Sequence, residues 1–239
     1  MEKSLDLTEQ VLAGASLPEG GNMEEQDPEP EEEPDQKSMW SGLKRNLIKN
    51  PCGLVSNVHP YHHPILFYVV VSLAVEELNH WTIDESGGDG WRVEDLPREG
   101  EWSFPNPSVP KFFMTSFDLC KKSQDIDLKE AGYSAEVMDT YQPDIVVTDW
   151  YQSRPDCGCQ YELAVKLLSE NKKTVQEFVP GPIIMPEGSD VHWRHITHTF
   201  SKYGPGVRYI SFQHGGKDTQ RWAGWYGVRV TNSSVSIEL

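Results

Sequence analysis

The sequence predicts an all-β fold, an antiparallel sandwich or barrel entered from an acidic tail. Three observations predict it. Short runs of apolar or alternating residues recur from residue 79 to the end of the chain. Clusters of Gly, Pro, Asn and Asp separate them, and only one stretch, roughly Tyr133 to Thr140, reads as helix. Many short strands divided by turn signals, with almost no helix, define that class.

The elements follow in chain order. Residues 1–38 hold 12 acidic and 2 basic side chains and the proline-broken run Glu24 to Asp35. Such a segment cannot bury enough apolar surface to offset the entropy of ordering, so it is expected to be a disordered tail. Residues 39–53 are basic and mildly amphipathic (Trp40, Leu43, Leu47, Ile48) and stop at Pro51 and Gly53, as a lead-in helix or strap. Residues 54–75 place the histidine-rich stretch Asn57 to Pro64 before the apolar run Ile65 to Val75. That run has 11 residues, against about 20 needed to span a bilayer, and its β-branched and aromatic content suits a buried strand. From residue 76 to 239 the pattern is β. Trp81 to Asp84 leads into the turn Gly87-Gly88-Asp89-Gly90 and on to Trp91-Arg92-Val93. Phe112–Phe117, Asp144–Trp150, the alternating run from Tyr161 to Leu167, Thr174–Val179, Trp193–Phe200, Val207–His214, Trp225–Thr231 and Ser234–Leu239 complete the series.

Charge and composition exclude several functions. The formal net charge is −16, and ten of those charges fall in residues 1–38. No clustered basic surface is available for a nucleic acid or an anionic membrane. The start, Met1 to Gln10, is charged and lacks the apolar stretch of a signal peptide, which predicts a cytoplasmic chain with reduced thiols. The four cysteines are sparse for this length, and Cys157-Gly158-Cys159 reads as a tight turn entering a strand rather than half of a zinc ribbon. His192, His195 and His198 have the spacing that gathers metal ligands on a helix. On a strand, His195 points away from the other two, so no metal is expected. The sequence holds no nucleophile elbow, P-loop or dinucleotide fingerprint, and Gly215-Gly216 is expected to be a turn. A non-enzymatic protein without cofactor is therefore predicted.

One aromatic segment remains. Lys217 to Gly227 contains Trp222, Trp225 and Tyr226 between glycines. Trp225, at the start of a predicted strand, is expected to close the core. Trp222, between Arg221 and Ala223, is expected to be exposed as a platform, since a flat ring suits the C–H face of a sugar.

Longer motifs carry a resemblance: Arg45 to Gly53, Gly87 to Pro97, Pro143 to Val147, Gly204 to Tyr209 and Trp225 to Ser234. Over residues 44 to 239 the chain resembles the F-box-associated domain of the sugar-recognising F-box proteins. The resemblance implies a jelly-roll-like or galactose-binding-like β-sandwich of about ten strands with short helices. It also implies recognition of the chitobiose core of high-mannose N-glycans on misfolded glycoproteins, at the cytosolic face of the endoplasmic reticulum, in ubiquitin-dependent degradation. The chain departs from the family in three places. Residues 1–43 are too few and too polar for an F-box, so contact with the ligase adaptor Skp1 is not expected. In that respect the chain is similar to the F-box-less homologues of the non-specific cytotoxic cell receptor protein, and a protein–protein module without sugar binding is the alternative function. Residues 54–75 intervene where the family is continuous and are read as an insertion, with splicing as a candidate source. The glycan site, which the resemblance places on Phe117, Asp156 and Arg221-Trp222-Ala223, has Arg221 and Ala223 where the family has Tyr and Lys. At about 1 kcal/mol per net hydrogen bond, those exchanges predict roughly tenfold weaker binding or more.

Overall fold

A computed structural model of the chain describes residues 45–54 and 78–238. The predicted tail, and residues 55–75 of the predicted insertion, lie outside the described residues.

Eleven strands form two antiparallel sheets: β1 (Thr82–Ser86), β2 (Arg92–Asp95), β3 (Lys111–Met114), β4 (Cys120–Asp127), β5 (Asp144–Gln152), β6 (Cys159–Ser169), β7 (Thr174–Phe178), β8 (Ile183–Met185), β9 (Arg194–Phe200), β10 (Val207–Asp218) and β11 (Arg229–Glu238). One sheet runs β1-β4-β10-β6-β7, with β8 also on β6, and the other runs β2-β3-β11-β5-β9. The expected all-β sandwich is the observed one, and the one short helix among the described residues, Val137–Tyr141, overlaps the predicted stretch Tyr133 to Thr140. Among the described residues no helix is long and apolar enough to cross a membrane.

Alternation decides which face each strand buries. In β6, Cys159, Tyr161, Leu163, Val165 and Leu167 are buried while the residues between them are half-buried. From β10, Ile210, Phe212 and His214 join them, and Ile145 and Val147 of β5 with Val230, Val235 and Ile237 of β11 face them across the sandwich. A smaller apolar cluster lies on the other face of β3, where Phe112 and Met114 pack with Cys52, Phe104, Val109 and Trp193. In its described part, residues 45–53, the lead-in segment is a strap rather than a helix. Leu47 N–H donates to Val235 O (2.8 Å), and Gln124 bonds the backbone of Lys49 on both sides. Leu47 and Ile48 are buried beneath it.

Polar groups also enter the core. Asp149 is fully buried and accepts hydrogen bonds from Tyr161 Oη (2.5 Å) and Ser233 Oγ (2.7 Å), while His214 Nδ1 lies 2.7 Å from it. Lys122 Nζ, buried and without a hydrogen-bond partner, sits 3.2 Å from the centre of the Trp81 ring and 3.6 Å from that of Phe113. Burial holds the Lys122 ammonium well below the usual lysine range, against the pull of Asp149.

Several local expectations are corrected. Gly215 and Gly216 are not a turn but the middle of β10, paired to both β4 and β6. Built at Gly215, a Cβ would stand 1.9 Å from Cys120 O, so only glycine lets the three strands approach. The turn expected at Gly87–Gly90 is present and joins strands of different sheets. Trp225–Thr231 and Ser234–Leu239 are not two strands: residues 229–238 form one strand with a bulge, where Asn232 adopts φ 50°. Trp225 precedes that strand, in the loop before it, and packs against the smaller apolar cluster. His198 does point away from His195, but it faces inward, stacked on Phe178 at 4.0 Å, rather than lining an exposed face.

Candidate functional site

Four loops meet at one end of the sandwich: 87–91 between β1 and β2, 115–119 between β3 and β4, 153–158 between β5 and β6, and 219–228 between β10 and β11. They are bonded to one another rather than merely adjacent. Ser116 is the hub. Its Oγ accepts from Asp89 N–H (2.9 Å) and donates to Gly224 O (2.8 Å), and its carbonyl accepts from Asp218 N–H (3.1 Å). Gly224 N–H donates to Asp89 Oδ2 (2.7 Å), and Thr219 N–H to Gly158 O (2.9 Å). The loops thus form one rigid rim rather than four independent tips.

The aromatic loop is shaped by Asp218. Its buried carboxylate accepts the backbone N–H of Arg221 and, at 3.2 Å, that of Trp222. This Asx-type closure holds Arg221 in the left-handed region at φ 59° and turns the next side chain outward. The Trp222 indole is 44% exposed, a large apolar ring at the tip of the rim, as expected from its neighbours in sequence.

The structure places each predicted site residue at this end. Phe117 lies half-buried in the β3–β4 loop, close beneath Gly88. The next residue, Asp118, receives Arg221 Nη2 at 2.9 Å, which ties that loop to the aromatic one. Ala223 is exposed beside Trp222. Asp156 is brought to Trp222 indirectly. Arg154 Nε and Nη2 donate to its two oxygens at 2.8 and 2.7 Å. The Arg154 guanidinium then lies over the Tyr226 ring at 4.7 Å, and Tyr226 meets Trp222 edge to face at 5.6 Å and 85°. The Arg154 bond holds the Asp156 carboxyl below the usual carboxylate range.

Arg154, Tyr226, Asp118 and Asp218 were not anticipated. Two of them left a trace in the sequence: Arg154 and Asp156 stand two apart with opposite charge in a loop, and Asp218 sits three before Arg221, where an aspartate closes a turn. Tyr226 stood in the aromatic segment without a sign of its role, and nothing local marks Asp118, whose partner comes from another loop.

Asp89, Asp118, Asp156 and Asp218 each accept at least one hydrogen bond from the rim itself. The neighbouring thiols of Cys157 and Cys159 are fully buried, and burial pushes both up, Cys159 to about 12, so neither is a thiolate nucleophile.

A β-sandwich that gathers an exposed tryptophan and bonded loops at one end has the architecture of a recognition domain, and the sequence assigns it to a family. The family described as "F-box associated region" matches residues 39–237, and the chain belongs to it. It is 48% identical over 195 residues to F-box only protein 6 of Bos taurus, covering 82% of this chain and 66% of that protein. It is 49% identical over 195 residues to F-box only protein 44 of Homo sapiens (82% and 68%), and 47% identical over 214 residues to F-box only protein 2 of Bos taurus (87% and 65%). The chain spans 59 to 66% of the length of the F-box only protein 6 sequences of cattle, mouse and rat. One solved structure, TmCBM61 in complex with beta-1,4-galactotriose, aligns over 81% of this chain and 99% of its own at 13% identity and a TM-score of 0.43, too distant to bear on a ligand.

Proposed function

We propose that this chain is a non-enzymatic recognition module whose four-loop rim binds the chitobiose core of high-mannose N-glycans. The observation that carries this reading is the Trp222 indole, exposed at the rim and braced edge-on by Tyr226. A ring that is both exposed and immobilised loses little entropy on binding and offers the apolar face a sugar ring stacks on. Arg221 and Asp118, paired across the rim, supply donors and acceptors for hydroxyl and acetamide groups.

In the cell the module would meet misfolded glycoproteins in the cytoplasm, near the endoplasmic reticulum, and feed ubiquitin-dependent degradation. Calorimetric titration with chitobiose tests the core of the proposal. Measurable heat is expected, with affinity reduced about tenfold or more in Trp222→Ala. Absence of heat at millimolar sugar would overturn it and leave the end loops to a polypeptide partner.

A further inference from the structure

We infer that Asp156 serves recognition as a positioning residue, acting on Trp222 through Arg154 and Tyr226, rather than as a direct acceptor for sugar hydroxyls. The inference rests on the proposed glycan reading for its affinity arm only.

The geometry is a chain of four side chains from two loops. Both Asp156 oxygens are engaged by the Arg154 fork, which fixes the plane of the guanidinium. That cation lies over one face of Tyr226, 4.7 Å from its centre. Its presence there holds the phenol ring upright, so that ring meets the indole of Trp222 at 85°. Without the cation, Tyr226 would be free to rotate and the indole would lose its brace. The Trp222 backbone is anchored separately, by Asp218. A carboxylate already accepting two charged hydrogen bonds also gains less from a hydroxyl than a free one does.

The two roles predict different couplings. In a relay, removing either end breaks the same chain, so losses do not add. Asp156→Asn and Arg154→Met should each weaken chitobiose binding about three- to tenfold, and the double variant no further. Tyr226→Leu should match them. The second readout needs no sugar. With 5-fluorotryptophan incorporated and the Trp222 resonance assigned by Trp222→Phe, the fluorine signal should shift in Arg154→Met and in Asp156→Asn alike. An unmoved Trp222 resonance in both variants overturns the inference. So does wild-type affinity in Arg154→Met beside a loss in Asp156→Asn, which would make Asp156 a direct ligand. Should the unaltered chain bind no chitobiose, the glycan reading fails, and the fluorine signal still decides the relay.

Discussion

Asp149 shows how much one buried residue can carry. It sits in β5 with no exposed surface, yet three side chains from three other strands converge on its carboxylate: Tyr161 from β6, His214 from β10 and Ser233 from β11. These strands belong to both sheets, so the network ties the two layers together across the core. Asp149→Ala would leave three buried polar groups unpaired and remove the buried carboxylate that offsets Lys122. We expect it to cost about 3–5 kcal/mol in denaturant unfolding, and a loss under about 1 kcal/mol would show that the network is dispensable. The strand Asp144 to Trp150 was legible in the sequence, but the inward place of Asp149 comes from the structure. Its partners were not legible, because each lies on a strand far away in the chain. The same holds in the rim, where Trp222 could be read from its neighbours but the bracing role of Tyr226 and the pairing of Asp118 could not.

At the scale of elements, strands with apolar inward positions were readable and those with polar ones were not. β6 alternates Tyr, Leu, Val and Leu inward and declares itself. β4 reads Cys-Lys-Lys-Ser-Gln-Asp-Ile-Asp, and its inward residues are Cys120, Lys122, Gln124 and Ile126. Gln124 faces in because it bonds the strap at Lys49, and Lys122 because two aromatic rings receive it. No pattern of hydrophobicity reports either partner, so β4 was missed. β8 has three residues and escaped for want of length. Gly215 and Gly216 misled for the opposite reason. Paired glycines signal a turn locally, whereas here they allow β10 to pack against both neighbours with no room for a Cβ.

Across the whole molecule, groups whose protonation folding shifts, buried His214 and half-buried Asp139 among them, shape the response to acid. Burial lowers the basicity of His214, more than Asp149 restores it, and Lys122 nearby adds to the depression. The folded imidazole is therefore neutral where the unfolded one, with an ordinary value of 6.5, takes a proton. Its contribution to stability is complete above that value and is lost as pH falls below it. Lower still, Asp139, held at about 2 chiefly by its bond with Arg208, loses its contribution as pH falls from 3.8 towards that value. Thermal melts should thus show a Tm that declines from pH 7.5 to pH 5, with a shallower decline in His214→Gln. A flat profile, or an unchanged slope in the variant, would contradict this assignment.

The account rests on four loops acting as one docking surface centred on Trp222. Amide chemical-shift mapping during a chitobiose titration addresses that directly. The perturbed amides should be those of Asp89, Phe117, Asp118, Asp156 and Arg221 to Gly224, with the opposite end, around Asp139 and Tyr203, silent. Shifts confined to that opposite end, or to one loop without the others, would contradict it.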